Sequence, residues 1–278
     1  MEKRISTRML GVALALGCGT AGLGLPAFAE DAAKPAAEGG QFKQPAATGF
    51  IEREKLIDSL ALVPPPPADG SAAQTVDDDA RKAAAKLRET PRWKLAIRDA
   101  DYKSPHVVDA FACTIGVTIT PEATPKLYTL LRRSLIDAGL STYKAKTHYK
   151  RTRPFVAAND PVICTPADAE GLAKDGSYPS GHSAFGWAWG LILAEMIPAK
   201  ADAIIKRGYD FGQSRVQCGV HWQSDVDAGR VVASAAVAQL HANPEFIKAF
   251  GEAKQEVDAV LAANKPAPDC ALEKEAVQ

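Results

Sequence analysis

After Gly70 the apolar positions recur at helical spacing almost without interruption. Within Pro125–Ala138, Leu127, Leu131 and Leu135 stand one turn apart, and Gly139 is expected to stop the helix. Ala184–Ile197 is apolar nearly all round, which predicts a central buried helix ended by Pro198. Val226–Leu240 has a similar Ala/Val-rich character, and Asn243-Pro244 opens a last amphipathic helix toward Leu261. A capping hydroxyl followed by proline marks three further starts, at Thr90-Pro91, Ser104-Pro105 and Thr124-Pro125. Pro64 to Pro67 must be extended, because proline lacks the donor that a helix interior needs. No alternating run is long enough for a strand. The pattern predicts an all-α, single-domain helical bundle.

Apolar runs stay short: Ala184–Ala194 is broken by Glu195, and Arg230 precedes Val231–Leu240. Neither reaches the length of a membrane span, so a soluble protein without a membrane partner is expected. The N-terminus reads as an export signal over residues 1–29. Lys3, Arg4 and Arg8 precede the apolar run Met9–Leu16, and Ala27-Phe28-Ala29 gives the small-x-small cleavage pattern. Residues 30–52, rich in Ala, Gly, Lys, Pro and Gln, read as a flexible leader. The ordered domain is expected over 53–265 and a C-terminal tail over 266–278.

The whole chain has 33 basic and 33 acidic residues, and the signal holds three basic and one acidic, so the exported form carries −2. That balance gives no attraction to nucleic acid or to an acidic membrane. Four cysteines remain after export: Cys113, Cys164, Cys218 and Cys270. An even number in an oxidising compartment predicts two disulfides, with three possible pairings. Cys113 with Cys164 and Cys218 with Cys270 is the working choice.

Three blocks carry candidate chemistry. Lys146 is followed after six residues by Arg153-Pro154. Pro179-Ser180-Gly181-His182 lies just before the central apolar helix. Ser214-Arg215 is followed after five residues by His221, then after three by Asp225. Singly, each has a plain structural reading: a solvated helix face, a turn, a surface His–Asp pair. Together they supply three cations, whose arginine forks match a tetrahedral oxyanion, and a turn whose Ser180 and Gly181 amides open a helix. His221 and Asp225 are four apart and share a face if a helix reaches back to His221. A carboxylate on one ring nitrogen leaves the other free to attack phosphorus, so His221 reads as nucleophile and Asp225 as its orienter. His182 has no carboxylate at that spacing and reads as general acid, with Lys146, Arg153, Ser180, Gly181 and Arg215 as phosphate binders.

These blocks resemble the motif of the phosphatidic acid phosphatase type 2 and vanadium haloperoxidase superfamily. More closely, Gly176–His182, Lys206–Arg215 and His221–Asp225 resemble class A nonspecific acid phosphatases, as do Leu62–Pro67 and Leu240–Pro244. Ser183 stands where relatives often have Thr, and the hydroxyl is kept. The resemblance runs from about Ser59 to about Leu261 and implies an all-α catalytic domain, a periplasmic or secreted location and a homo-oligomer, a dimer or a multiple of it. The implied reaction is hydrolysis of many phosphate monoesters through a phosphohistidine, with no cofactor and no metal. A haloperoxidase binding vanadate in the same cradle, or a phosphate-binding protein without turnover, are the alternatives. The latter needs neither a nucleophile nor an acid, yet both histidines are present. Asp99-Ala-Asp101 is followed by Tyr102-Lys103, so no D-x-D-x-[TV] nucleophile motif occurs, and no R-H-G block is present.

Outside the motif, His106, His148 and His241 are expected to be structural or surface residues. Phe185, Trp187 and Trp189 read as core, Asp77-Asp78-Asp79 as a solvated first turn, and Tyr178 as a neighbour of the pocket mouth.

Overall fold

The computed structural model describes residues 48–263 and 268–276. The signal and residues 30–47 of the leader lie outside the described residues. Nine helices carry the argument: α1 (Ala72–Ala85), α2 (Pro91–Ala100), α3 (Pro125–Ser141), α4 (Tyr143–Tyr149), α5 (Gly181–Met196), α6 (Ala201–Gln217), α7 (Gln223–Leu240), α8 (Pro244–Ala262) and α9 (Ala271–Ala276). Shorter helical turns connect them, and no strand occurs among the described residues. The all-α expectation holds, and no described helix is long and apolar enough to cross a membrane.

Helix α5 is the axis of the bundle, as its all-round apolar sequence requires. It packs against α3, α6 and α7, while α8 closes over α3 and α2 lies along α6. Phe185, Trp189 and Ile192 of α5 meet Leu131 of α3, Phe211 of α6 and Ala233 of α7 in one buried core. The Trp189 indole is fully buried and donates to the Leu131 carbonyl at 2.9 Å, so its polar atom is satisfied.

Several helix ends differ from the sequence reading. Gly139 does not stop α3, which continues to Ser141. The Thr142 hydroxyl then closes the turn on the Gly139 carbonyl at 2.7 Å. Thr90 caps α2 as expected, but Thr124 spends its hydroxyl on the Thr118 carbonyl. Glu256 of α8 caps α3 instead, accepting from the Lys126 and Leu127 amides. Ser104-Pro105 opens a 3-10 segment, Pro105–Phe111, rather than an α-helix. Helices α5 and α7 each begin three residues before the positions read from apolarity, because their first turns are polar.

The leader boundary at residue 52 falls too late. Phe50 is buried, and the Phe50 and Ile51 amides donate to the Asp137 carboxylate at 2.8 and 3.0 Å. The Arg133 guanidinium stacks over the Phe50 ring at 3.8 Å and takes the Thr48 and Gly49 carbonyls. At the other end, α9 docks on α2, with Arg98 bonded to Glu273.

The working disulfide pairing is wrong. Cys113 pairs with Cys270 and Cys164 with Cys218, at Cα separations of 5.7 and 4.7 Å. The first bond pins the docked C-terminal segment. The second joins the chain after Ile163 to the turn after α6. By loop-closure entropy, closing 54 residues contributes up to about 4 kcal/mol.

Candidate active site

A cleft of about 400 Å³ opens where α3, α4, α5 and the turn between α6 and α7 converge. Lys146, Arg153, Gly181, His182, Arg215 and His221 all line it. The three blocks, spread over 80 residues, thus meet at one place.

His221 stands in the α6–α7 turn, two residues before α7 begins, so no helix carries it. Gly219 makes that turn at φ +72°, a conformation that disfavours a side chain. The neighbouring Cys218 is tied to Cys164, and the Val220 carbonyl accepts from Arg153 Nη1 at 2.9 Å. His221 and Asp225 still meet: Nδ1 lies 3.3 Å from Asp225 Oδ2, which also accepts the Trp222 amide at 2.9 Å. On the other side, His221 Nε2 faces Arg153 Nη1 at 3.1 Å. A guanidinium can only donate, so Nε2 is the unprotonated nitrogen and Nδ1 carries the hydrogen toward Asp225. Burial holds the His221 imidazole well below the usual histidine range, with Arg153, Lys146 and Arg215 adding to the effect.

The cations divide into two kinds. Every N–H of Arg153 is engaged: Nε by the Leu172 and Asp175 carbonyls, Nη1 as above, Nη2 by Asp175 and Gly176. Lys146 Nζ donates to the Gly176 carbonyl at 2.8 Å, and burial pushes its ammonium down to about 8. Arg215 is different. It is 2 % exposed, yet its Nε and Nη1 have no hydrogen-bond partner. Burial, then the Arg153 charge, push its guanidinium down to about 9. An unpaired buried cation is costly unless an anion completes it.

Ser180 caps α5, its hydroxyl accepting from the Ser183 amide at 3.3 Å. Its own amide donates to the Asp225 carbonyl at 2.9 Å, so that N–H is not free for a ligand. The free first-turn donors are the Gly181 and His182 amides, which have no acceptor within the helix. The Ser180 amide is therefore a brace between α5 and α7, which the spacing alone did not show.

His182 Nε2 sits 3.2 Å from the Ala100 carbonyl. A carbonyl only accepts, so Nε2 carries the hydrogen and Nδ1 is left for proton exchange. Burial, then the Arg215 and His221 charges, hold His182 well below the usual histidine range. Tyr102 packs edge-on against the His182 ring, with centroids 5.0 Å apart.

The surrounding residues correct two readings and extend a third. Asp77 is not a solvated first turn. It lies mid-helix in α1, 2 % exposed, accepting the Ser224 amide at 2.8 Å and pairing with Arg151 at 2.7 Å. Its register with Ala84, one helical face away from solvent, was the available signal. Tyr178 is buried away from the cleft and donates to the Pro64 carbonyl, holding the proline run. Phe185 belongs to the core and also lines the cleft. The sequence reading missed Arg151, Asp175, Tyr102 and Tyr143. Among the residues set aside, His241 pairs with Glu195 and His106 with Asp109.

The PAP2 superfamily model matches residues 127–245, which span the three blocks. A non-specific acid phosphatase of Providencia stuartii is 48% identical over 208 residues, covering 74% of this chain and 84% of the relative. One of Salmonella typhimurium is 40% identical over 210 residues, with 75% and 84% covered. An acid phosphatase of Zymomonas mobilis is 40% identical over 221 residues, with 79% and 83% covered. Fold, cleft and relatives agree: the chain belongs to the PAP2 superfamily and, within it, to the class A non-specific acid phosphatases.

Proposed function

We propose that this phosphatase is exported and hydrolyses a broad range of phosphate monoesters through a phosphohistidine at His221, without a metal ion. The observation that carries this reading is Arg215, a buried guanidinium that lines the cleft and whose Nε and Nη1 have no hydrogen-bond partner. A phosphoryl group bound by Arg215, Lys146 and the Gly181 and His182 amides would complete these donors. Preorganised donors of this kind stabilise the charge on the equatorial oxygens during transfer, the task that a metal performs elsewhere.

In the first step the His221 Nε2 lone pair, released from Arg153 Nη1, attacks phosphorus, and the bond from phosphorus to the ester oxygen breaks. The departing oxygen takes a proton from His182 Nδ1, leaving an alcohol and phosphohistidine. In the second step water attacks phosphorus, His182 takes back a proton, and the P–N bond breaks to release inorganic phosphate. Asp225 balances the positive charge that His221 gains. Because burial and the neighbouring cations disfavour the charged form of His182, the negative charge of the bound phosphate must draw a proton from solvent onto its Nδ1, the more readily in an acidic medium. That requirement favours mildly acidic pH.

Leu135, Leu140 and Leu172 form apolar walls beyond the cradle, with few groups to demand one leaving group. The apolar part of this lining supports the broad range proposed. Export is supported by the signal pattern of residues 1–29 and by two disulfides, which belong to an oxidising compartment. The family resemblance adds a homo-oligomer, which sedimentation velocity of the mature protein would measure.

Arg215→Gln tests the cradle. It should lower kcat/KM for p-nitrophenyl phosphate by about 10² or more and remove the rise in Tm that inorganic phosphate gives the wild type. Undiminished phosphate binding by the variant would refute this role for Arg215.

A further inference from the structure

We infer that Arg151, clamped in turn by Asp77, is a positioning residue that fixes the Asp225 carboxylate against His221. The inference rests on the phosphohistidine reading. Arg151 lies inside the Lys146–Arg153 block but points away from the cleft, and its fork bridges two buried carboxylates. Nη1 reaches Asp225 Oδ1 at 2.7 Å, and Nη2 reaches Asp77 Oδ2 at 2.7 Å. The same nitrogens hold the Ser224 hydroxyl and the Gln74 amide oxygen, each at 2.7 Å. Asp77 then takes the Ser224 amide at 2.8 Å and the Ser224 hydroxyl at 2.6 Å, which locks the first turn of α7. Side-chain exposures of 8 %, 2 % and 0 % for Arg151, Asp77 and Asp225 exclude solvent from the chain.

The consequence is chemical as well as structural. Asp225 Oδ2 is occupied by His221 and the Trp222 amide, so Oδ1 would be bare without Arg151. Burial pushes the Asp225 carboxyl up, and Arg151 is the strongest influence pulling it back. The other charged groups facing Asp225 are Lys146 of α4, Arg153 and His221; Asp77 of α1 lies beyond Arg151. Lys146 and Arg153 line the cleft and bond to carbonyls and side chains there, whereas Arg151 is committed to the buried carboxylates. Removing its charge lets the His221–Asp225 pair take up a proton at higher pH, and a protonated pair has no nucleophile.

The test compares the kcat/KM pH profiles of wild type, Arg151→Gln and Arg151→Lys, with His221→Ala alongside. Arg151→Gln should move the acid limb up by about one to three pH units, the range over which a paired cation shifts a carboxylate. Its loss should therefore be largest near pH 5 and should shrink toward pH 7. Arg151→Lys, which keeps the charge but not the fork, should fall between the two. A uniform loss at every pH, or an unmoved acid limb in Arg151→Lys and Arg151→Gln alike, overturns the inference. If Arg151→Gln does not fold, as judged by circular dichroism, the Arg151→Lys profile decides alone: an unmoved limb overturns. Turnover by His221→Ala would overturn the phosphohistidine reading itself, whatever the Arg151 profiles show.

Discussion

At the scale of single residues, the two cleft histidines are told apart by what their ring nitrogens touch. His221 gives Nδ1 to a buried carboxylate and presents Nε2 to Arg153, while His182 gives Nε2 to the Ala100 carbonyl. In the proposed mechanism the first contact orients a nucleophile, and the second leaves Nδ1 of the other ring to carry a proton. The proton carrier matters in proportion to how badly the leaving oxygen needs a proton. A p-nitrophenolate departs as an anion, whereas the alkoxide of glycerol phosphate does not. Removing a general acid costs about 10² to 10⁴, and most with poor leaving groups. His182→Ala should keep measurable p-nitrophenyl phosphatase activity while nearly losing glycerol phosphate hydrolysis. The ratio of kcat/KM for the two substrates measures this, and an equal loss on both would make His182 a phosphate binder only. The His221–Asp225 contact was legible in the sequence because the two residues stand close together in the chain. The Arg151–Asp77 clamp was not, since its partners lie 74 residues apart or more and no local pattern joins them.

Among the elements, apolar spacing located the helices and tertiary contacts set their ends. Leu127, Leu131 and Asn243-Pro244 marked α3 and α8 correctly because one face or one cap is a local property. The cap of α3 escaped notice because Glu256 arrives from α8, 130 residues away. Gly139 looked like a terminator, yet inside a packed bundle a helix glycine is tolerated where burial outweighs its propensity. The packing of α5 on α6 gives a sharper case. A Cβ on Gly186 would lie 2.1 Å from the Phe211 ring, whereas one on Gly251 of α8 would meet nothing within 4 Å. Phe211 is fully buried between Phe185 and Trp189, so its ring has no room to retreat. Gly186→Ala should therefore destabilise by about 1 to 3 kcal/mol. Gly251→Ala should stabilise by up to about 1 kcal/mol, from helix propensity alone. Urea unfolding of both variants checks the opposite signs, and the same sign for both would show that the helix contact is not tight.

On the scale of the whole molecule, the bundle brings residues from α4, α5 and the α6–α7 turn to one cleft, while the disulfides secure two approaches to it. Cys164–Cys218 holds the turn that carries His221, and Cys113–Cys270 holds the C-terminal segment on α2, whose last residue, Ala100, receives His182. The three chemistry blocks were legible because oxyanion recognition restricts which residues can serve, and each block is short. The cysteine pairing was not, because it depends on which distant turns the packed bundle sets side by side. The central claim is a covalent phosphate on His221 formed by organic groups alone. The direct measurement is rapid quenching of the mature enzyme with ³²P-labelled substrate in excess EDTA, followed by mapping of the labelled peptide. We predict acid-labile, base-stable label on the peptide containing His221, absent from His221→Ala. Label on a serine, label that persists in His221→Ala, or activity that EDTA removes and Mg²⁺ or Zn²⁺ restores would contradict the account.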